Sequence, residues 1–243
     1  MYLVIIFYLL LFLVAFLYSS VGHGGASGYL ALMASFSLAP DTMRSTALLL
    51  NVFISLMAFI QYYRSGHFQW KLFWPFALLS IPAAFFGGMI TVDQGVYKKI
   101  LALLLLFSVV KLIGFKYQDA APKKEQSLVV SLFIGFVIGL LSGMIGIGGG
   151  ILLSPLILLL HWANMKQTAA VSALFIFVNS LAGLAGLFFN GLRLNPEMGF
   201  MIAIALSGGA LGAFLGASKF NSTKLKYILA CVLIIASIRL MFT

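Results

Sequence analysis

The chain has 243 residues, of which 63% are hydrophobic and only 8% charged, with a mean hydropathy of +1.12. A soluble domain of this size must cover its surface with polar groups, so the composition excludes one and indicates an integral membrane protein. The net charge of +10 comes from basic residues in loops beside apolar runs, which suits anionic headgroups and the positive-inside rule and argues against a nucleic-acid partner.

The first run, "YLVIIFYLLLFLVAFLYSS" (2–20), lacks a basic leader region and an A-x-A cleavage site, and it is longer than a signal core, so it reads as a retained span. A glycine cluster, "VGHGGA" (21–26), precedes a short run at 28–39, and long runs follow at 46–63, 70–91 and 96–115. A second series follows the polar stretch "KYQDAAPKKEQS". It comprises a run at 128–143, the cluster "IGIGGG" (145–150), a short run at 150–162, and long runs at 167–190, 197–217 and 224–242. The expected class is a polytopic all-α membrane protein of about 8–10 transmembrane segments, not an alternating β-barrel. Each short run covers only about 18–20 Å of a ~30 Å hydrocarbon core. Cys231 is the single cysteine, so no disulfide framework or Cys-based metal site is available. No cofactor is expected, and no nucleotide-binding motif is present.

A short run after a glycine cluster occurs twice, and the two series align. "VGHGGA" matches "IGIGGG", "MRSTA" (43–47) matches "MKQTA" (165–169), and "KKILALLLLFSVVKL" (98–112) matches "KYILACVLIIASIRL" (226–240), in the same order and at nearly constant spacing. The expected organisation is a first half at 1–116, a cytoplasmic linker at 117–126 and a second half at 127–243. If each short run returns toward its starting side, each half crosses an odd number of times. Arg64, Lys71 and the linker lysines then share a face that collects about twice the basic residues of the other, which favours an inverted repeat with both termini outside.

Non-helical backbone inside hydrocarbon costs several kcal/mol per unpaired group, so it survives only where protein buries it or a polar cavity receives it. The clusters are expected to break their helices and start short half-helices near residues 26 and 150, aiming free amides and positive dipole ends at the protein centre. Such a geometry binds anions. All five acidic residues, Asp41, Asp93, Asp119, Glu125 and Glu197, fall in loops or at run edges, which leaves no carboxylate for a midplane cation or proton relay. The candidate anion-binding residues are Gly22, His23, Gly24, Gly25, Asn51, Gly146, Gly148, Gly149, Gly150, Thr168, Ser172 and Asn179. Arg44 and Lys166, matched by the repeat, are secondary candidates that also read as loop-end markers. His23 is the candidate proton carrier. Glycines in "GASG" (25–28) and "GGALGAFLGAS" (208–218) read equally as helix-contact positions.

These features resemble the sulfite exporter TauE/SafE family, also called TSUP. "GIGGGILLSPLILLL" (146–160) is similar to the family's G-x-G-G-G cluster and the apolar run after it, with Pro155 in place. The first copy, "GHGGASGYLALM", departs from it at His23 and Ala26 and lacks the proline. The resemblance implies a secondary transporter of small sulfur-containing anions, such as sulfite or organosulfonates, in the bacterial inner membrane. Its expected partners are the anion, membrane lipids and, as a candidate, a second copy in a homodimer. Two rivals are an intramembrane serine protease, with Ser27 as nucleophile and His23 or His161 as base, and a membrane assembly factor without flux.

Overall fold

The structure is a computed structural model that describes residues 2–20, 22–36, 38–114, 124–189, 191, 196–218 and 234. The tenth apolar run (224–242) and most of the linker therefore lie outside the described residues, apart from Ile234 and residues 124–126. So does the second member of the third repeat block.

The described helices are α1 (Tyr2–Ser20), α2 (Ala26–Ser35), α3 (Pro40–Arg64), α4 (Trp70–Met89), α5 (Gln94–Gly114), α6 (Leu128–Ile145), α7 (Gly150–Leu159), α8 (Met165–Phe188) and α9 (Met198–Ser218). Among them α1, α3, α4, α6, α8 and α9 are long and apolar enough to cross a membrane. α2 and α7 have 10 residues each, about 15 Å, and cannot cross by themselves. Local chemistry explains most helix ends. α3 opens with Pro40, whose fixed φ and missing N–H suit a first turn. Asn164 caps α8 in a reciprocal box with Gln167. Gly146, at φ 87°, ends α6 in the left-handed conformation that a Cβ disfavours.

Between apolar helices in lipid, close van der Waals contact and not water exclusion supplies most of the association energy. Two glycine ladders provide that contact here. Gly135, Gly139 and Gly143 of α6 press directly on the carbonyls of Phe76, Ser80 and Ala84 of α4. Gly208, Gly212 and Gly216 of α9 do the same to Phe12, Phe16 and Ser20 of α1. In both pairs residue numbers rise together, so the partners run in the same direction.

α2 folds back along α1: Gly28 lies against Val14 and Tyr18, and Phe36 stacks edge-on to Phe7. α7 likewise returns along α6, bringing Trp162 to Phe76, level with Gly135. At the centre α3 and α8 run in opposite directions, with Leu48 by Gly183, Ala58 by Ala173 and Tyr62 by Ala169. The neighbours of α1–α4 and those of α6–α9 correspond. α4 packs on α6 as α9 packs on α1, α4 meets α8 as α9 meets α3, and α2 and α7 sit on α3 and α8. Large apolar side chains such as Leu3, Leu9, Leu13, Val129 and Phe133 are exposed on the outside of the bundle, where lipid would receive them.

Candidate functional site

Both glycine clusters are real breaks. α1 stops at Ser20 and α2 starts at Ala26, while α6 stops at Ile145 and α7 starts at Gly150. Gly22, Gly25, Gly146, Gly148 and Gly149 all have positive φ, between 75° and 94°, a region that only glycine enters without steric cost. Side chains close the ends of the broken helices selectively. The Tyr62 hydroxyl donates to the carbonyl of Ser20 at 3.2 Å, and Tyr97 donates to that of Ile145 at 2.9 Å. The negative, C-terminal end of each break is thus satisfied. At the positive ends, neither Gly25 nor Gly149 receives a side-chain cap, as is also so at the starts of α3, α4 and α6, whereas α8 starts with a capping box. First-turn amides need partners, and these two sets are left to one another's vicinity.

The breaks converge halfway along the long helices. A Cβ on Gly24 would lie 2.6 Å from Asn51 Oδ1 and 2.9 Å from Ile176, and one on Gly148 would lie 2.5 Å from Asn51 Nδ2 and 2.8 Å from Ile176. Asn51 and Ile176 stand at the middle of α3 and α8. Each break reaches this point along the long helix of the other half: Gly22 rests on Ala169 of α8, and Gly146 on Arg44 of α3.

The surroundings are polar and incompletely paired. Among the described residues, eight buried side-chain atoms have no hydrogen-bond partner: the oxygens of Ser19, Tyr29, Thr46, Ser142, Thr168 and Ser180, and Oδ1 of Asn51 and Asn179. Each such atom carries a penalty of about 1–3 kcal/mol in a protein interior, and those of Ser19, Asn51, Ser142 and Ser180 lie beside the two helix breaks.

The sequence-derived candidates divide by position. Gly24, Gly148, Gly150 and Asn51 meet at Ile176, and Gly149 lies on Phe175. Gly22 and Gly146 mark the outer ends of the breaks, and Gly25 packs on its own helix at Tyr29. Thr168 and Asn179 are buried on α8, while Ser172 pairs with Ser154 of α7 at 2.7 Å and so ties the half-helix to α8. His23 is half-buried within the first break.

Arg44 is buried and donates to the carbonyls of Gly87, Gly88 and Ile90 at the end of α4 and of Gly143 on α6. It acts there as a clamp on helix ends. Lys166 is exposed at the start of α8, near His67 in the α3–α4 loop. Burial, with the Lys166 charge second, holds the His67 imidazole below its ordinary pKa. Ser27, the protease candidate, shares a 2.8 Å hydrogen bond with Tyr18, and His161 is exposed beyond the far end of α7.

Sequence reasoning missed three residues. Ile176 carries no chemical signal. Ser180 becomes significant only once α8 is placed against the second break. Thr46 was within reach, because "MRSTA" and "MKQTA" pair it with Thr168, and both hydroxyls are buried and unpartnered.

Comparison with known proteins agrees with this architecture. The family described as sulfite exporter TauE/SafE matches residues 7–240. The probable membrane transporter protein y4hK of Sinorhizobium fredii is 33% identical over 235 residues, 95% of this chain and 95% of that one. A probable membrane transporter protein of Methanocaldococcus jannaschii is 25% identical across 71% of this chain and 68% of its own. The probable membrane transporter protein YunE of Bacillus subtilis is 26% identical across 84% and 81%. No solved structure matches the chain at a significant level. With two glycine breaks meeting between long apolar helices and a family match across nearly its whole length, the chain belongs to the sulfite exporter TauE/SafE family and is a multi-pass membrane transporter, not an enzyme.

Proposed function

We propose that the protein is a secondary transporter, in a bacterial inner membrane, of small sulfur-containing oxyanions such as sulfite or organosulfonates. The anion is held halfway across the bilayer by the amides that open α2 and α7. The observation that carries this reading is the convergence of Gly24 and Gly148 on Asn51 and Ile176, which brings two uncapped helix N-termini to one place. Amides at a helix N-terminus carry partial positive charge and replace the water around an anion without needing a formal cation. Hydroxyls of Thr46, Thr168, Ser142 and Ser180 add neutral donors in the surrounding region. The tyrosine bonds to Ser20 and Ile145 support the same sign of field, because they offset the carbonyl ends of the breaks.

The halves form an inverted repeat in this reading. The opposed directions of α3 and α8, and the return of α2 and α7 toward the sides from which α1 and α6 came, support it. Access alternates by rocking one half against the other about the fixed site. Counterflow in proteoliposomes tests the proposal with sulfite, sulfate, thiosulfate, sulfoacetate and a simple carboxylate. Exchange of sulfite or a sulfonate well above protein-free vesicles is expected. Failure of every sulfur anion to exchange rejects the substrate class.

A further inference from the structure

The centre of the protein presents oxygens as well as amides. Asn51 donates its Nδ2 to the carbonyl of Ile147 at 3.3 Å. A carbonyl can only accept, so this bond sets which way the side-chain amide faces. Oδ1 is then the atom turned toward Gly24, 2.6 Å from where a Cβ would stand, and it has no donor. Asn179 repeats the arrangement, with Nδ2 donating to the Phe175 carbonyl at 2.8 Å and Oδ1 unpartnered. Both residues are wholly buried. An amide oxygen has no proton to give and bears partial negative charge, so it cannot hold an anion. It requires a proton donor or a cation.

We propose that a small monovalent cation, of the size of sodium, binds at Asn51 Oδ1, beside Gly24 of the first break. Ser180 Oγ is unpartnered and lies 3.1 Å from the Cβ position of the same Gly148 that faces Asn51 Nδ2, which makes it a second available oxygen. Non-helical carbonyls of the first break supply further ligands, since unwound backbone in a membrane helix coordinates such ions without a carboxylate. This accounts for a cation site in spans that lack acidic side chains. An anion bound at the neighbouring amides offsets the cation's charge, and by linkage each ion raises the affinity for the other. That coupling rests on the function proposed above, whereas the cation site itself does not.

The test is the melting midpoint of the purified full-length protein in detergent, titrated with sodium, lithium, potassium or choline, all as gluconate. Sodium is expected to give a saturable rise of roughly 3 °C, lithium a smaller one, and potassium none beyond choline. Asn51→Ala removes the sodium response, and Asn51→Asp, which keeps an oxygen and adds charge, retains it at lower sodium concentration. If Asn51→Ala does not fold, Ser180→Ala takes its place, with half-saturation moved several-fold upward. Identical sodium and choline curves for the unmodified protein overturn the proposal, as does an undiminished sodium response in the variants. Sulfite added in choline gluconate reports the anion site separately. A response to sulfite with none to sodium removes the cation site and leaves the anion reading standing.

Discussion

Arg44 of α3 and Gly143 of α6 are 99 residues apart in sequence and joined by two hydrogen bonds, the guanidinium Nε and Nη2 both donating to the Gly143 carbonyl at 2.9 and 2.6 Å. The same Nη2 reaches the carbonyls of Gly87 and Gly88 at 2.8 Å. One planar cation therefore fastens the end of α4 to α6, three residues before the second break begins. These carbonyls lie where α4 ends and α6 nears its break, so the next turn of amides is largely missing; that of Gly87 also accepts from the Ile90 amide at 3.2 Å. A side chain committed in this way supports the frame around the site.

Arg44→Met is expected to destabilise the protein by about 3 kcal/mol, since several buried carbonyls lose a charged donor together. Arg44→Lys recovers only part of this, because a compact ammonium cannot span α4 and α6 as the guanidinium fork does. Unfolding of the detergent-solubilised variants by thermal midpoint or denaturing surfactant measures both.

Gly24 offers a cleaner probe of the site than Gly149. Position 149 has φ 79°, so any side chain there strains the backbone and confounds folding with function. Gly24 lacks a positive φ, and its obstruction is steric: a Cβ meets Asn51 and Ile176. Gly24→Ala is expected to lower anion counterflow about tenfold or more while the protein still elutes as a monodisperse peak. Flux at the unmodified rate removes this glycine from the site.

Thr46→Val and Thr168→Val should move stability and transport in opposite directions. Each removes a buried hydroxyl with no partner, which stabilises the protein by about 1 kcal/mol. Each also removes a donor available to the anion, raising the transport KM about fivefold. Melting curves and concentration-dependent flux on the same preparations decide. A threonine with only a structural role changes the first without the second.

His67 sets a pH dependence at the α3–α4 loop. Its pKa is held below the ordinary value by burial first and by Lys166 second, so the folded protein binds this proton less readily than the unfolded chain. The stability it contributes is complete above the ordinary histidine pKa of about 6.5 and is lost as pH falls through the lower, folded-state value. His67→Gln should flatten the melting-temperature profile on the acid side of that range. Lys166→Met should move the loss of stability only partly, because the larger cause remains.

Several features were legible in the sequence because they depend on local properties. Hydropathy and the scarcity of charge determine that this chain lives in a bilayer. The glycines of "GHGG" and "GIGGG" permit breaks at those positions, and the positive φ of Gly22, Gly25, Gly146, Gly148 and Gly149 uses that freedom. The glycines of "GGALGAFLGAS" read in the sequence as helix-contact positions, and Gly208, Gly212 and Gly216 make such a contact against α1.

The tertiary structure decided what stands across each break. Asn51 and Ile176 are remote in sequence, and only the crossing of α3 and α8 puts both against Gly24 and Gly148. Arg44 could have faced an anion or a set of carbonyls, and the ends of α4 and α6 determined which. The polarity that Asn51 turns toward the centre follows from its bond to Ile147 in the second break. A side-chain amide carries a donor and an acceptor on one rotatable group, so composition and spacing identify the residue, and only its neighbours determine which atom it presents.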